Sequence, residues 1–303
     1  MDFDDVAGSY AREVDRAVAF SGQPQGFFLD LKARQIEEAI RDRLGEPSAV
    51  RALEVGCGPG LMRRRLRKRI GHLWGLDLSL GCLVEAGAAA EAGQAAQTGA
   101  ETGPAGAEAA QAGAEAGQAG HAARAGVRAA ARAGLVAADG RRAPFAGGSF
   151  DLVFAVCVLH HVAPGAERDA LVGEMARLAR PGGMVAIWEH NPWNPLTRRV
   201  VARCPFDRDA VLLSPGEARR LLRRAGLTRV ESRYGLFFPW RGLGWRRAER
   251  LLAQVPLGAQ FVAMGIKPRA TPLPALPALA SLAALTSLAA LPSLAALTSL
   301  LGS

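Results

Sequence analysis

The sequence predicts an α/β fold in which a parallel sheet is flanked by helices. Three observations carry the prediction. Short apolar runs closed by Gly or Asp recur along the chain, stretches at helical spacing separate them, and two biased segments interrupt an otherwise ordinary globular composition. Residues 86–133 are nearly all Ala, Gly, Gln and Glu, and residues 270–303 are Leu, Ala, Ser, Thr and Pro with one Gly. Setting both aside leaves, of 303 residues, enough for one domain with a real core.

Residues 1–45 read as helical, because Phe28, Leu31, Ile36, Ile40 and Leu44 fall near helical spacing with charges between. Val50 to Val55 is a compact apolar run stopped by Gly56-Cys57-Gly58-Pro59-Gly60, the pattern of a buried parallel strand entering a tight turn. A basic helix is expected over 61–70 and a second strand over 73–77. The segment 86–133 contains no aromatic, Leu or Ile, one Val and nine Gly. It cannot bury enough apolar surface to offset its ordering entropy, so a flexible surface loop or frayed helix is expected. Strands follow at 135–139 and 150–156, then a helix over 165–179 closed by an Arg180-Pro181-Gly182-Gly183 turn, and a fifth strand at 184–188. A helix over 215–225 starts at Ser214 with Pro215 in its first turn and stops at Gly226. Segments 227–238 and 257–266 suit a final hairpin. Trp74 and Trp188 fall inside strands and read as core.

The tail repeats SLAALT, SLAALP and SLAALT from Ser281 to Thr298, with a leucine at every third position. Such leucines drift around a helix and make no fixed stripe. It reads first as a low-complexity tail, with weak membrane contact or a partner-binding segment as alternatives. The net charge of +9 permits contact with polyanions. No nucleic-acid motif or aromatic interleaving accompanies it, so no nucleic-acid partner is expected. The run Arg63-Arg64-Arg65-Leu66-Arg67-Lys68-Arg69 reads first as a solvated helix face, with a grip on phosphate as the alternative. Cys57, Cys82, Cys157 and Cys204 form no CxxC pair, which speaks against a zinc ribbon, and no metal is expected. Reduced thiols and an acidic N-terminus without a signal-peptide pattern point to the cytoplasm.

The chemistry concentrates at Leu53-Glu54-Val55-Gly56-Cys57-Gly58-Pro59-Gly60. Three glycines let the backbone turn sharply and approach a ligand where a Cβ would collide. Asp77 lies 17 residues after Gly60, at the end of the second strand, where a carboxylate can accept both ribose hydroxyls of a nucleoside.

With Asp139-Gly140 and Ser149-Phe150-Asp151-Leu152-Val153 added, the chain resembles the class I S-adenosylmethionine-dependent methyltransferases. The matching blocks are 52–60, 73–79, 137–162 and 180–183. The resemblance implies a Rossmann-like, seven-stranded, mostly parallel sheet whose last strand runs antiparallel, and S-adenosylmethionine as cofactor. It places Glu54, Gly56, Cys57, Gly58 and Gly60 around the methionine portion and sulfonium. Asp77 would hold the ribose, Leu78 would pack on the adenine, and Asp139 would accept from the adenine amino group with Gly140 beside it. Val156 and Cys157 would face the methyl group. By the same resemblance residues 1–45 form a lid around Tyr10 and Phe20-Ser21-Gly22-Gln23, and residues 46–269 the methyltransferase domain.

The block 188–198 with Cys204-Pro205-Phe206-Asp207 reads equally as an acceptor-side wall or a structural cap. His160, His161 and His190 are candidate general bases for a small-molecule acceptor. A hydrogen-bonded histidine at a strand end is the alternative for each. Two other functions stay in view, a nicotinamide-dependent oxidoreductase and a non-catalytic binding protein. The first lacks its third fingerprint glycine, since position 61 is Leu.

Overall fold

The computed structural model describes residues 9–98, 134–238 and 242–269. The 270–303 tail and residues 99–133 of the insertion, to which the flexible-loop and membrane expectations mostly apply, lie outside the described residues. Contacts divide the chain into Met1–Pro268 and Arg269–Ser303, and the sheet belongs to the first unit.

Seven strands form one sheet: β1 (Arg51–Val55), β2 (His72–Asp77), β3 (Leu135–Ala137), β4 (Phe150–Val156), β5 (Ala179–His190), β6 (Thr228–Gly235) and β7 (Gln260–Ile266). Their order is β3-β2-β1-β4-β5-β7-β6. The first five run parallel, while β7 is antiparallel to both β5 and β6. The seven-stranded sheet with its antiparallel last strand is therefore present. Strand order reverses between β1 and β4, and open α/β sheets bind ligands at the carboxyl ends of such a pair.

Eight α-helices accompany the strands among the described residues: α1 (Tyr10–Val18), α2 (Gln25–Arg43), α3 (Arg63–Leu66), α4 (Leu80–Thr98), α5 (Ala166–Leu178), α6 (Pro195–Arg203), α7 (Pro215–Arg224) and α8 (Leu243–Leu252). The pleat divides each central strand between two cores. Leu53, Val55, Val153 and Ala155 meet Leu171, Val172, Leu221 and Leu222 of α5 and α7 on one face. Ala52, Leu152 and Phe154 meet Ile36 and Ile40 of α2 on the other. Burying one such Leu, Ile or Phe contributes about 1.5–3 kcal/mol. That fixes α2, which buries Phe27, Leu29, Ile36 and Ile40, far more firmly than α1, which buries only Ala17.

Several boundaries differ from the sequence expectation, each for a local reason. The basic helix shrinks to α3, and its Arg63 is not solvated: it is buried and donates to the Leu73 carbonyl. The insertion's first residues continue α4, where Ala86 packs with Leu83, Cys57 and Leu135. Residues 180–183 do not simply turn. Gly182, at φ +79°, donates to the Lys267 carbonyl at 2.8 Å, and Lys267 donates back to Gly183 at 2.8 Å, drawing the segment into β5. Between β6 and β7 stands α8, so those strands are not a plain hairpin. Trp188 is buried, but Trp74 is only half-buried against Phe145. Ser214 accepts from Glu217 N at 3.1 Å and caps α7 as expected.

Candidate active site

A cavity of about 530 Å³ opens at the carboxyl ends of β1 and β4. One wall is the turn after β1. Gly56 N and Cys57 N both donate to the Leu76 carbonyl, at 2.7 and 3.1 Å, which lashes the turn to β2. Gly56, Gly58 and Gly60 have φ of +69°, +50° and +72°, a region other residues adopt at a cost. Their surroundings differ. A Cβ on Gly56 would stand 2.5 Å from Val158 Cγ2, while one on Gly58 would meet nothing within 4 Å. Gly56 is therefore demanded by packing, and Gly58 leaves open space in front of the loop.

Asp77 closes the turn from β2. Its two oxygens accept from Gly58 N at 2.7 Å and Ser79 N at 2.9 Å. Leu78, beside it, is 75% exposed. Glu54 lines the cavity, is buried, and has one oxygen, Oε2, without a hydrogen-bond partner. Burial, partly opposed by Arg63, pushes its carboxyl up to about 8. An anion here is costly until a cation joins it.

The facing wall comes from distant segments. Tyr10, Val14 and Phe20 enter from the first helical stretch, Phe28 and Lys32 from α2, and Val200 and Phe206 from the block after β5. Tyr10 stacks on Phe206 with centroids 5.0 Å apart. The block is fastened to the fold and also lines the cavity. Asn191 Nδ2 donates to the Gly258 and Pro256 carbonyls, at 2.7 and 3.1 Å, and Thr197 Oγ1 donates to Ala259 O at 2.7 Å, stapling it to the loop before β7. Asn194, Leu196 and Thr197 also line the cavity.

Where the walls meet, side chains form a polar cluster. Lys32 Nζ lies 3.4 Å from Cys157 Sγ, and Gln260 Nε2 lies 3.7 Å from the same sulfur and 3.4 Å from His190 Nδ1. Burial raises the Cys157 thiol, but Lys32 and then His190 outweigh it and bring the thiol down to about 7. Behind this cluster His160 is clamped: its Nδ1 meets Glu189 Oε2 at 2.6 Å, and its Nε2 lies 3.4 Å from Asp207 Oδ1. Burial opposes its charge, yet Glu189 and Asp207 push the imidazole up to about 10. Glu189 Oε1 also accepts from Val158 N and Leu159 N, at 3.1 and 2.7 Å.

A family model described as a methyltransferase domain matches residues 53–187, the stretch that supplies β1 to β5 and the glycine turn. That stretch is a methyltransferase domain by this match, and the fold around it is the one shared by S-adenosylmethionine-dependent methyltransferases. A demethylmenaquinone methyltransferase from Parafrankia sp. is 34% identical over 118 residues, 32% of this chain and 45% of that relative, so the chain spans under half of it. An S-adenosylmethionine-dependent methyltransferase from Thermotoga maritima shares the fold, with a TM-score of 0.52 at 16% identity, covering 88% of this chain and 98% of that one. So does phosphoethanolamine N-methyltransferase 2 of Haemonchus contortus, solved with S-adenosyl-L-methionine, at a TM-score of 0.50 and 15% identity over 89% of this chain and 60% of that one.

Within this methyltransferase fold, Glu54, Gly56, Cys57, Val156 and Cys157 line the cavity, whereas Gly58, Gly60, Asp77, Leu78, Asp139 and Gly140 do not. The residues present fit the cofactor. The orphaned Glu54 oxygen suits the ammonium of its methionine part, and the open space at Gly58 suits close approach to the backbone. Cys57 can offer only backbone, since its side chain packs under the turn against Leu83 and Leu135. Asp139 is half-exposed and gripped by Arg141, whose Nε and Nη2 lie 2.8–3.0 Å from its oxygens. An adenine amino group would have to share that carboxylate. Gly140 has a packing reason of its own, for a Cβ there would stand 2.9 Å from Leu171 and Val55.

Of the three candidate bases only His190 lines the cavity. His160 stands outside the cavity lining, buried between Glu189 and Asp207, which favour its charged form. His161 lies 3.4 Å from Asp207, and burial beside the charged His160 lowers it to about 4. Sequence reasoning missed Lys32 and Gln260. Lys32 had a readable signal, since it falls on the buried stripe of α2 with Leu29 and Ile36.

Proposed function

We propose that this chain transfers the methyl group of S-adenosylmethionine to a small, largely apolar molecule bound in the cavity. The observation that carries the reading is that Glu54, the glycine turn and Cys157 share one cavity with an apolar far wall. In this reading Glu54 takes the ammonium of the methionine part and Asp77 the ribose, with Leu78 against the adenine and Asp139 reaching its amino group in competition with Arg141. Val156 and Cys157 flank the methyl group.

The bound cofactor supplies an electrophilic methyl group, so the protein's main task is alignment. Holding two reactants in line can remove roughly 7–11 kcal/mol of barrier. The apolar residues of α1, α2 and α6 exclude water and orient the acceptor, and His190 lines the same space. The curated relative that acts on demethylmenaquinone fits an apolar acceptor but reaches only part of this chain. No helix among the described residues is long and apolar enough to cross a membrane. Four free thiols accord with a cytoplasmic enzyme.

Calorimetry with S-adenosylmethionine tests the reading. Saturable binding by the purified chain, and release of S-adenosylhomocysteine on adding a cell extract, are expected. Absence of binding defeats it.

A further inference from the structure

We propose that the methyl acceptor carries an acidic hydroxyl, a phenol or enol on an apolar ring, and that Lys32 and Cys157 receive its oxygen and its proton. The inference rests on the methyl-transfer reading and names the acceptor class for that cavity.

Lys32 is 8% exposed and points from the apolar stripe of α2 into the cavity, with its ammonium 3.4 Å from Cys157 Sγ. A buried ammonium is costly without an anion beside it. The carboxylates of this cluster, Glu189 and Asp207, are spent on His160, which leaves the thiolate of Cys157 as the counter-ion. Cys157 is fixed in place: it has a φ of +57°, and its N–H donates to the Trp188 carbonyl at 2.8 Å. Around its sulfur stand Lys32 from α2, His190 and Glu189 from β5, Gln260 from β7, Tyr10 from α1 and the buried His160. Val14, Phe28, Leu196, Val200, Phe206 and Phe237 surround the group with apolar surface.

Charge balance selects the ligand. A carboxylate would arrive already ionised and set two anions against one buried ammonium. A hydroxyl brings its own proton. Its O–H bond breaks as the Cys157 S–H bond forms, and the oxyanion replaces the thiolate beside Lys32. The cluster's net charge is unchanged. The electron pair left on the oxygen, or delocalised onto a ring carbon, is the nucleophile that attacks the methyl group.

The test is fluorescence titration of the full chain with 7-hydroxycoumarin, reading the phenolate excitation band against pH. An ammonium beside the oxygen lowers the midpoint of the bound probe, by about one pH unit or more, whereas apolar burial alone raises it. We expect a lowered midpoint in the native protein and a midpoint above the buffer value in Lys32→Met. The methyl ether, 7-methoxycoumarin, should bind at least tenfold more weakly. A native midpoint at or above that in buffer, equal binding of the ether, or no saturable binding overturns the proposal, whether or not the variant folds. Calorimetry with S-adenosylmethionine on the same preparation separates the two readings. Loss of cofactor binding with the coumarin shift intact removes methyl transfer and leaves the anion clasp, and the converse removes only the clasp.

Discussion

The two walls of the cavity are built by opposite means. The β1–β2 wall is mostly backbone: three glycines at positive φ, a turn lashed to Leu76 O, and Asp77 holding Gly58 N and Ser79 N. The facing wall is mostly side chain, assembled from α1, α2, the block after β5 and the start of β7. A backbone cradle fits one ligand shape and tolerates little change. A side-chain wall can be re-cut for a different ligand while the cradle stays as it is.

Substitutions should expose this contrast. The largest loss is expected where the far wall is anchored: His160→Leu leaves Glu189 and Asp207 buried without their cation. Breaking such a group costs about 3–5 kcal/mol, to be read as a drop in the denaturation midpoint. Gly56→Ala comes next, because its Cβ would overlap Val158 at an already strained φ. A cost of about 2–3 kcal/mol and loss of measurable cofactor binding are expected by thermal melting and calorimetry. Gly58→Ala should fold with a penalty of about 1 kcal/mol, yet weaken the cofactor tenfold or more, since its Cβ would enter open space in front of the loop. Comparable damage from both glycine changes would erase the distinction between a packing glycine and a contact glycine.

Glu54→Gln probes the orphaned oxygen. Native Glu54 is pushed up to about 8, while the unfolded carboxyl titrates near 4.5. Between those values the folded state holds the extra proton, so stability from this group is present below 4.5 and lost as pH rises toward 8. The glutamine variant should therefore be more stable than the parent at pH 8 and equal to it at pH 4.5, by denaturant titration. It should also bind S-adenosylmethionine about tenfold more weakly. Asp139→Ala should be the mildest change, shifting cofactor affinity about threefold, because Arg141 already occupies that half-exposed carboxylate.

The same contrast explains what the sequence disclosed. The sheet and the glycine turn were legible because local rules write them: apolar runs of strand length, glycines where φ is positive, and Ser214 with Glu217 capping α7. Asp77 was legible because it closes the strand beside the turn. The far wall obeys no local spacing. Lys32, His190 and Gln260 are separated by more than a hundred positions in places, and only the antiparallel pairing of β5 with β7 sets Gln260 opposite His190. The histidines illustrate the limit: His160 and His161 after β4 and His190 at the end of β5 receive different surroundings from Glu189 and Asp207, which the spacing of the histidines does not announce. Helix α8 was missed for a related reason, as its amphipathic LGWRRAERLL run sits inside a segment that reads as a connection between strands.

The end of β5 turns alternation into a sorting device. Glu189 and His190 are chain neighbours, yet the pleat sends one carboxylate behind the wall to grip His160 and the other ring into the chamber. Deleting a single residue between Gly183 and Trp188 would carry His190 into the position of Glu189 and Asn191 into that of His190. A basic ring would then lie against the imidazolium, and the carboxylate would fall on the face that now buries Trp188. The chamber's chemistry is thus encoded by the parity of a strand as much as by the letters in it.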